Sequence, residues 1–141
     1  MTGRVSRSKC AYAAIMHELK NAYPYEGCGL LLANKRTGIV ESIGSVENVE
    51  EKDKQASHYI MDPMTLYRLE KKAEENDLTV AGFYHSHPDK PAILSGEDKQ
   101  YMIPGMIYMI VSTSDGGIED VRGYIKDEPG AGEYRVLIVE A

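Results

Sequence analysis

Two histidines spaced by one residue, His85 and His87, end the apolar run Leu78-Thr-Val-Ala-Gly-Phe-Tyr84 and precede Pro88. An extended chain turns successive side chains to opposite faces. The two imidazoles therefore share a face, with Cα atoms roughly 7 Å apart, and can converge on one ion. The run before them reads as a mostly buried strand, which Pro88 stops. Seven residues separate His87 from Ser95. There Ser95-Gly-Glu-Asp98 reads as a helix start, with Ser95 at the N-cap and acids in the first turn. Such a start brings Asp98 close to the histidine pair. Two neutral imidazoles and one carboxylate are a recurring ligand set for a catalytic zinc that keeps its fourth position for water. The same letters also fit a polar strand end followed by a variant capping box, with Asp in place of the usual Glu or Gln.

The elements that must position these groups follow from pattern and punctuation. Arg4 to Ala22 reads as one amphipathic helix ended before Pro24, with Cys10, Ala13, Ala14, His17 and Ala22 near one side and Ile15, Met16 and Leu19 widening the apolar area. Leu30 to Ala33 reads as a strand, Asn34 to Gly38 as a hairpin turn and Ile39 to Val46 as the returning strand. The charged run Glu47 to Gln55 is a solvated loop. His58 to Met61 is strand-like, and Asp62-Pro63 opens a helix that runs to about Asn76. His58 is read either as a hydrogen-bonded structural histidine or as a residue of the cleft. The helix from Ser95 lasts until about Tyr101, before Pro104-Gly105. Met106 to Val111 is then a buried strand, Ser112 to Gly117 a turn, and Glu119 to Lys126 and Tyr134 to Glu140 two more strands. Met102, Met106 and Met109 are core filler, since thioethers suit soft copper. Helices interleaved with about six strands argue a three-layer α/β domain with a mixed sheet.

The chain has 141 residues, 43% hydrophobic and 27% charged, which fits one globular domain over residues 1–141. A net charge of −6 argues against a broad basic face for nucleic acid. Cys10 and Cys28 are the only cysteines, and the first residues lack the apolar core of a signal peptide, so a reducing cytoplasm is the expectation. No segment has the apolar length of a membrane span. Cys28 could be proposed as a nucleophile, but it reads as a small buried strand residue with nothing nearby to lower its pKa.

His-Ser-His-Pro, the seven-residue interval and Ser-x-x-Asp together resemble the motif of the JAMM, or MPN-plus, zinc metallopeptidases, in their compact prokaryotic form. The family's upstream glutamate before an apolar strand is matched by Tyr25-Glu26-Gly-Cys-Gly-Leu-Leu-Leu32. No spacing rule selects Glu26; the resemblance does. The likeness implies a cytidine-deaminase-like fold, a curved mixed sheet flanked by helices with the metal at a sheet edge. It implies one zinc per chain on His85, His87 and Asp98, with Glu26 as general base and Ser95 as oxyanion donor. It further implies hydrolysis of a peptide or isopeptide bond at the C-terminal tail of a ubiquitin-like or sulfur-carrier protein of the ThiS, MoaD or CysO kind, the tail lying as an added β-strand. The rival from another class is a non-catalytic module that grips a ubiquitin-fold partner. Other users of His-x-His fit less well: amidohydrolase barrels need at least about 200 residues, cupins are all-β, and zinc deaminases need a Cys-x-x-Cys pair that this chain lacks.

Overall fold

The computed structural model describes residues 3–141; residues 1 and 2 of the expected 1–141 domain lie outside the described residues. The elements follow as β1 (Gly3–Arg7), α1 (Lys9–Ala22), β2 (Cys28–Asn34), β3 (Val40–Val46), α2 (Pro63–Glu75), β4 (Leu78–Pro88), α3 (Gly96–Gln100), β5 (Ile107–Ser114), β6 (Gly117–Ile125) and β7 (Tyr134–Glu140). The strands lie in the order β1-β3-β2-β4-β5-β6-β7. β4 is central, antiparallel to β2 on one side and parallel to β5 on the other.

The α/β class and the mixed sheet are as expected, whereas the sheet is not simply a curved layer flanked by helices: its seven strands close into a barrel. β1 makes the closure, pairing in parallel with β7 from Gly3 to Arg7 and meeting β3 at Arg7↔Val40. The sequence pattern assigns Arg4 to Arg7 to the first helix. That helix starts later because Ser8 caps it, its hydroxyl accepting from the Ala11 amide at 3.0 Å. Upstream of the cap the chain is extended, with Val5 turned into the core.

Helices still cover both faces of the central strands. α1 buries Ala11, Ile15 and Leu19 against Leu31, Ala33, Tyr84, Met109 and Val111. α2 brings Ala73, Leu66 and Leu69 against Cys28, Leu30 and Leu32. Alternate residues of β2 thus enter two different cores, which is why Cys28 to Ala33 is apolar without interruption. The buried stripe of α1 is not the expected one, since Cys10, Ala13, Ala14 and His17 are exposed. Ile15 and Leu19 remove more apolar area from water than alanines do, so they set the helix rotation.

Two further boundaries differ from the expected ones. β5 runs on through Ser112 and Thr113, which pair with β4 and β6, where the polar residue types suggest a turn. His58 to Met61 is not a strand but a loop with one bridge, Asn48↔Met61. Met102 and Met109 are buried and Met106 partly so, as core filler requires.

Candidate metal centre

β4 carries two kinds of residue on its two faces. Tyr84 packs in the α1 core, while Phe83 packs with the α2 cluster and with a third cluster under the loop that follows β4. Alternation places His85 and His87 with Phe83, facing that loop. The loop is fixed from several sides. Its Ala92 and Leu94 are buried with Tyr108, Ile110 and Tyr124. The Tyr124 hydroxyl donates to the Ala92 carbonyl at 2.7 Å, the Ser112 hydroxyl donates to the Lys90 carbonyl at 2.5 Å, and the Asp89 amide donates to the Thr113 carbonyl at 2.7 Å. α3 therefore begins at a defined place over the histidines.

At that start Ser95 and Asp98 form a reciprocal cap. The Asp98 amide donates to the Ser95 hydroxyl at 3.0 Å, and the Ser95 amide donates to Asp98 Oδ2 at 2.9 Å. The capping box and the ligand set are alternative readings of Asp98 from sequence; the structure puts both contacts on one carboxylate. His85 Nε2 is 3.4 Å from Asp98 Oδ1, His87 Nε2 is 3.3 Å from Asp98 Oδ2, and the two Nε2 atoms are 3.1 Å apart. Donors bound tetrahedrally to zinc at about 2.0–2.1 Å stand about 3.3–3.4 Å from one another. The two imidazole nitrogens stand within about 0.3 Å of that edge, and each faces a different oxygen of the Asp98 carboxylate at a like distance, so the residue types and their convergence fit such an ion.

The electrostatics of His85 and Asp98 suit ligation. Burial pushes the His85 pKa down, favouring the neutral ring. Burial also opposes charge on His87, but the Asp98 carboxylate, the Pro91 carbonyl and the Glu26 charge together outweigh this and raise it. Burial alone would raise Asp98; its contacts with both histidines and the Ser95 amide hold it far below the usual carboxylate range. His87 Nδ1 lies 3.1 Å from the Pro91 carbonyl, the sort of outer contact that orients a metal-binding imidazole.

Glu26 lines the same cleft of about 210 Å³ as His87, Ser95 and Asp98. It is 6% exposed, not the surface acid that its residue type suggests. Its backbone is clamped: its amide donates to the Gln55 carbonyl at 2.7 Å, its carbonyl accepts from the Asn48 side chain at 3.0 Å, and the next amide, of Gly27, donates to Ser86 Oγ at 2.9 Å. Ser86, the residue between the histidines, thereby ties the glutamate-bearing segment to β4. Burial pushes the Glu26 carboxyl up to about 7. His58 stands at the exposed rim of the cleft, with Nε2 3.6 Å from Glu97, and is not in the metal-holding group. Beside Asp98 a second, apolar cavity of about 440 Å³ continues the cleft, walled by Tyr59, Ile60, Met61, Phe83 and Tyr101.

Cys28 is buried, and burial pushes its thiol up to about 12, which removes it as a nucleophile. Sequence reasoning missed Tyr59, whose ring packs on His85 with centroids 4.6 Å apart. A lone tyrosine in a polar loop carries no spacing signal. Among the described residues no helix is long and apolar enough to cross a membrane.

The chain is similar to known proteins. Over 126 residues the chain is 30% identical to a probable TtuB-protein conjugate cleaving protease of Thermus thermophilus, covering 87% of this chain and 74% of that protein. It is 31% identical over 90 residues to the desampylase of Haloferax volcanii, a match that spans 63% of each chain, just under two thirds of the relative's length. In fold alone it resembles the crystal structure of a JAB1/MPN domain protein from Archaeoglobus fulgidus, with a TM-score of 0.59 at 18% identity over 96% of this chain and 98% of that one. The family model of prokaryotic homologs of the JAB domain matches residues 8–124, and the chain belongs to that family.

Proposed function

We propose that the chain is a zinc-dependent hydrolase that cleaves a peptide or isopeptide bond at the C-terminal tail of a ubiquitin-like or sulfur-carrier protein. The observation that carries this reading is the convergence of two imidazole nitrogens and the Asp98 carboxylate, with a buried glutamate lining the same cleft. The relatives support it, one named a desampylase and the other a cleaver of TtuB conjugates.

His85, His87 and Asp98 would hold the ion. Bound there, zinc would supply Lewis acidity to polarise the scissile carbonyl and make a water a strong nucleophile near neutral pH. Glu26 manages the proton. Its carboxyl, with a pKa of about 7, accepts a proton from the attacking water and returns it to the nitrogen of the leaving amine. Ser95 Oγ accepts from the Asp98 amide, which leaves its own hydrogen free to donate to the oxyanion that develops on the carbonyl oxygen.

β4 has no free edge, because β2 and β5 pair along both its sides. The substrate tail therefore does not add to the ligand strand itself. It crosses the cleft beside the Tyr59–Met61 loop, with an apolar side chain in the cavity walled by Ile60, Phe83 and Tyr101. A module that only gripped a tail would have no use for a desolvated glutamate facing a metal-ligand set. The test is metal analysis with a conjugate-cleavage assay: about one zinc per chain, cleavage by the wild type, and in Glu26→Gln retained zinc without turnover. An active Glu26→Gln would remove Glu26 as the base, and a protein without zinc affinity would remove the mechanism.

A further inference from the structure

The two histidines are held in place by different means. His87 has the Pro91 carbonyl at 3.1 Å from its Nδ1, a contact that sets ring plane and tautomer. His85 Nδ1 is buried and has no hydrogen-bond partner among the described residues. What His85 has instead is the Tyr59 ring, with centroids 4.6 Å apart and 32° between the planes. We propose that Tyr59 is the positioning residue of His85, confining its imidazole by ring contact where His87 is confined by a hydrogen bond. The proposal rests on the reading of His85, His87 and Asp98 as zinc ligands.

The contact can do this because Tyr59 is itself held on both sides. The Asn48 side chain donates to the His58 carbonyl at 3.1 Å and accepts from the Ile60 amide at 3.1 Å, and the Val49 amide donates to the Ile60 carbonyl at 2.8 Å. The ring packs against the cluster of Cys28, Leu30 and Val46. Cys28 is the cross-strand partner of His85, so ring and imidazole share one wall. Asn48 also donates to the Glu26 carbonyl at 3.0 Å. One asparagine therefore fixes the loop that confines a ligand and the segment that carries the base. With the Tyr59 ring removed, the His85 imidazole would face an open cavity with no hydrogen bond at Nδ1 to hold its plane. Its ligand atom would spend less time at the position that matches Asp98 and His87.

The experiment compares wild type, Tyr59→Phe and Tyr59→Leu as full chains. Zinc Kd is measured by competition with a chromogenic chelator, and the visible spectrum of the cobalt-substituted protein is recorded alongside. Melting of the chelated proteins serves as the fold control. Tyr59→Phe keeps the ring and is expected within about twofold of wild type in Kd, with the same spectrum. Tyr59→Leu is expected to raise Kd about 10- to 100-fold, the range for lost outer-sphere support, and to change the cobalt bands. If Tyr59→Leu does not fold, Tyr59→Met, also without a ring, is read the same way. A Kd within twofold in the ringless variant, or a loss in Tyr59→Phe as large as in Tyr59→Leu, overturns the proposal. Failure of the wild type to bind zinc overturns the functional reading as well, and is seen before any variant is compared.

Discussion

Glu26→Gln separates the two consequences of burying a glutamate in the cleft, one for stability and one for turnover. Burial moves the Glu26 carboxyl from 4.5 to about 7. The folded chain therefore holds that proton to higher pH than the unfolded chain does. Between those two values the folded state binds more protons, so stability falls as pH rises through the window and the loss is complete above about 7. The size of the shift corresponds to about 3 kcal/mol of destabilisation at alkaline pH. Glutamine has nearly the same shape and no charge to desolvate. In chelated protein, where no added cation offsets the carboxylate, Glu26→Gln should match wild type within about 1 kcal/mol at pH 5 and exceed it by about 3 kcal/mol at pH 8.5. His85 titrates in both proteins, while the Glu26 charge also raises His87 and is itself raised by Asp98, so part of the difference is carried by those couplings. Urea unfolding across that pH range measures it: with a slope of about 1–3 kcal/mol per molar, the midpoint gap at high pH is about 1–3 M. A stability difference that stays flat with pH, or that favours wild type at pH 8.5, would refute the claim that burial governs this group. The same substitution should leave zinc affinity intact while abolishing turnover, so the more stable of the two chains at alkaline pH is the inactive one.

Other substitutions test the rest of the site. Ser95→Ala removes an observed cap bond and should cost about 1 kcal/mol of stability in thermal unfolding; as oxyanion donor it should also lower kcat about 10²- to 10³-fold, and an unchanged kcat would leave Ser95 as a cap only. Alkylation of the native protein should label exposed Cys10, spare Cys28 and leave activity intact, whereas inactivation that follows Cys28 labelling would reopen a thiol role. Gly82→Ala would place a methyl group 2.0 Å from the Ile107 backbone oxygen in the neighbouring strand, so it should destabilise by roughly 3 kcal/mol or more in denaturant melts. A full removal of zinc by chelation should lower Tm, and the loss should shrink in Asp98→Asn, which gives up a ligand charge.

Which parts of this protein can be read from the chain alone follows from the range over which each is decided. His85 and His87 share a face because strand alternation operates over two residues, and Ser95 caps α3 because a side chain reaches an amide three residues on. Both effects are local, and so the candidate ligand set is legible in the order of residues itself. Glu26 is reached only by its likeness to a known motif; its burial depends on Gln55, Asn48 and Ser86, which are distant in sequence. The closure of the sheet cannot be read at all. Residues 3–7 carry too few apolar positions to announce a strand, and they become one by pairing with β7, at the other end of the chain. The rotation of α1 is decided by which face of the sheet its largest side chains can reach, and the place of Tyr59 by a loop that Asn48 ties down. The sequence by itself determined which atoms can bind and move protons. Only the tertiary structure decided their desolvation and mutual distance, because both are properties of contacts between segments that no local period encodes.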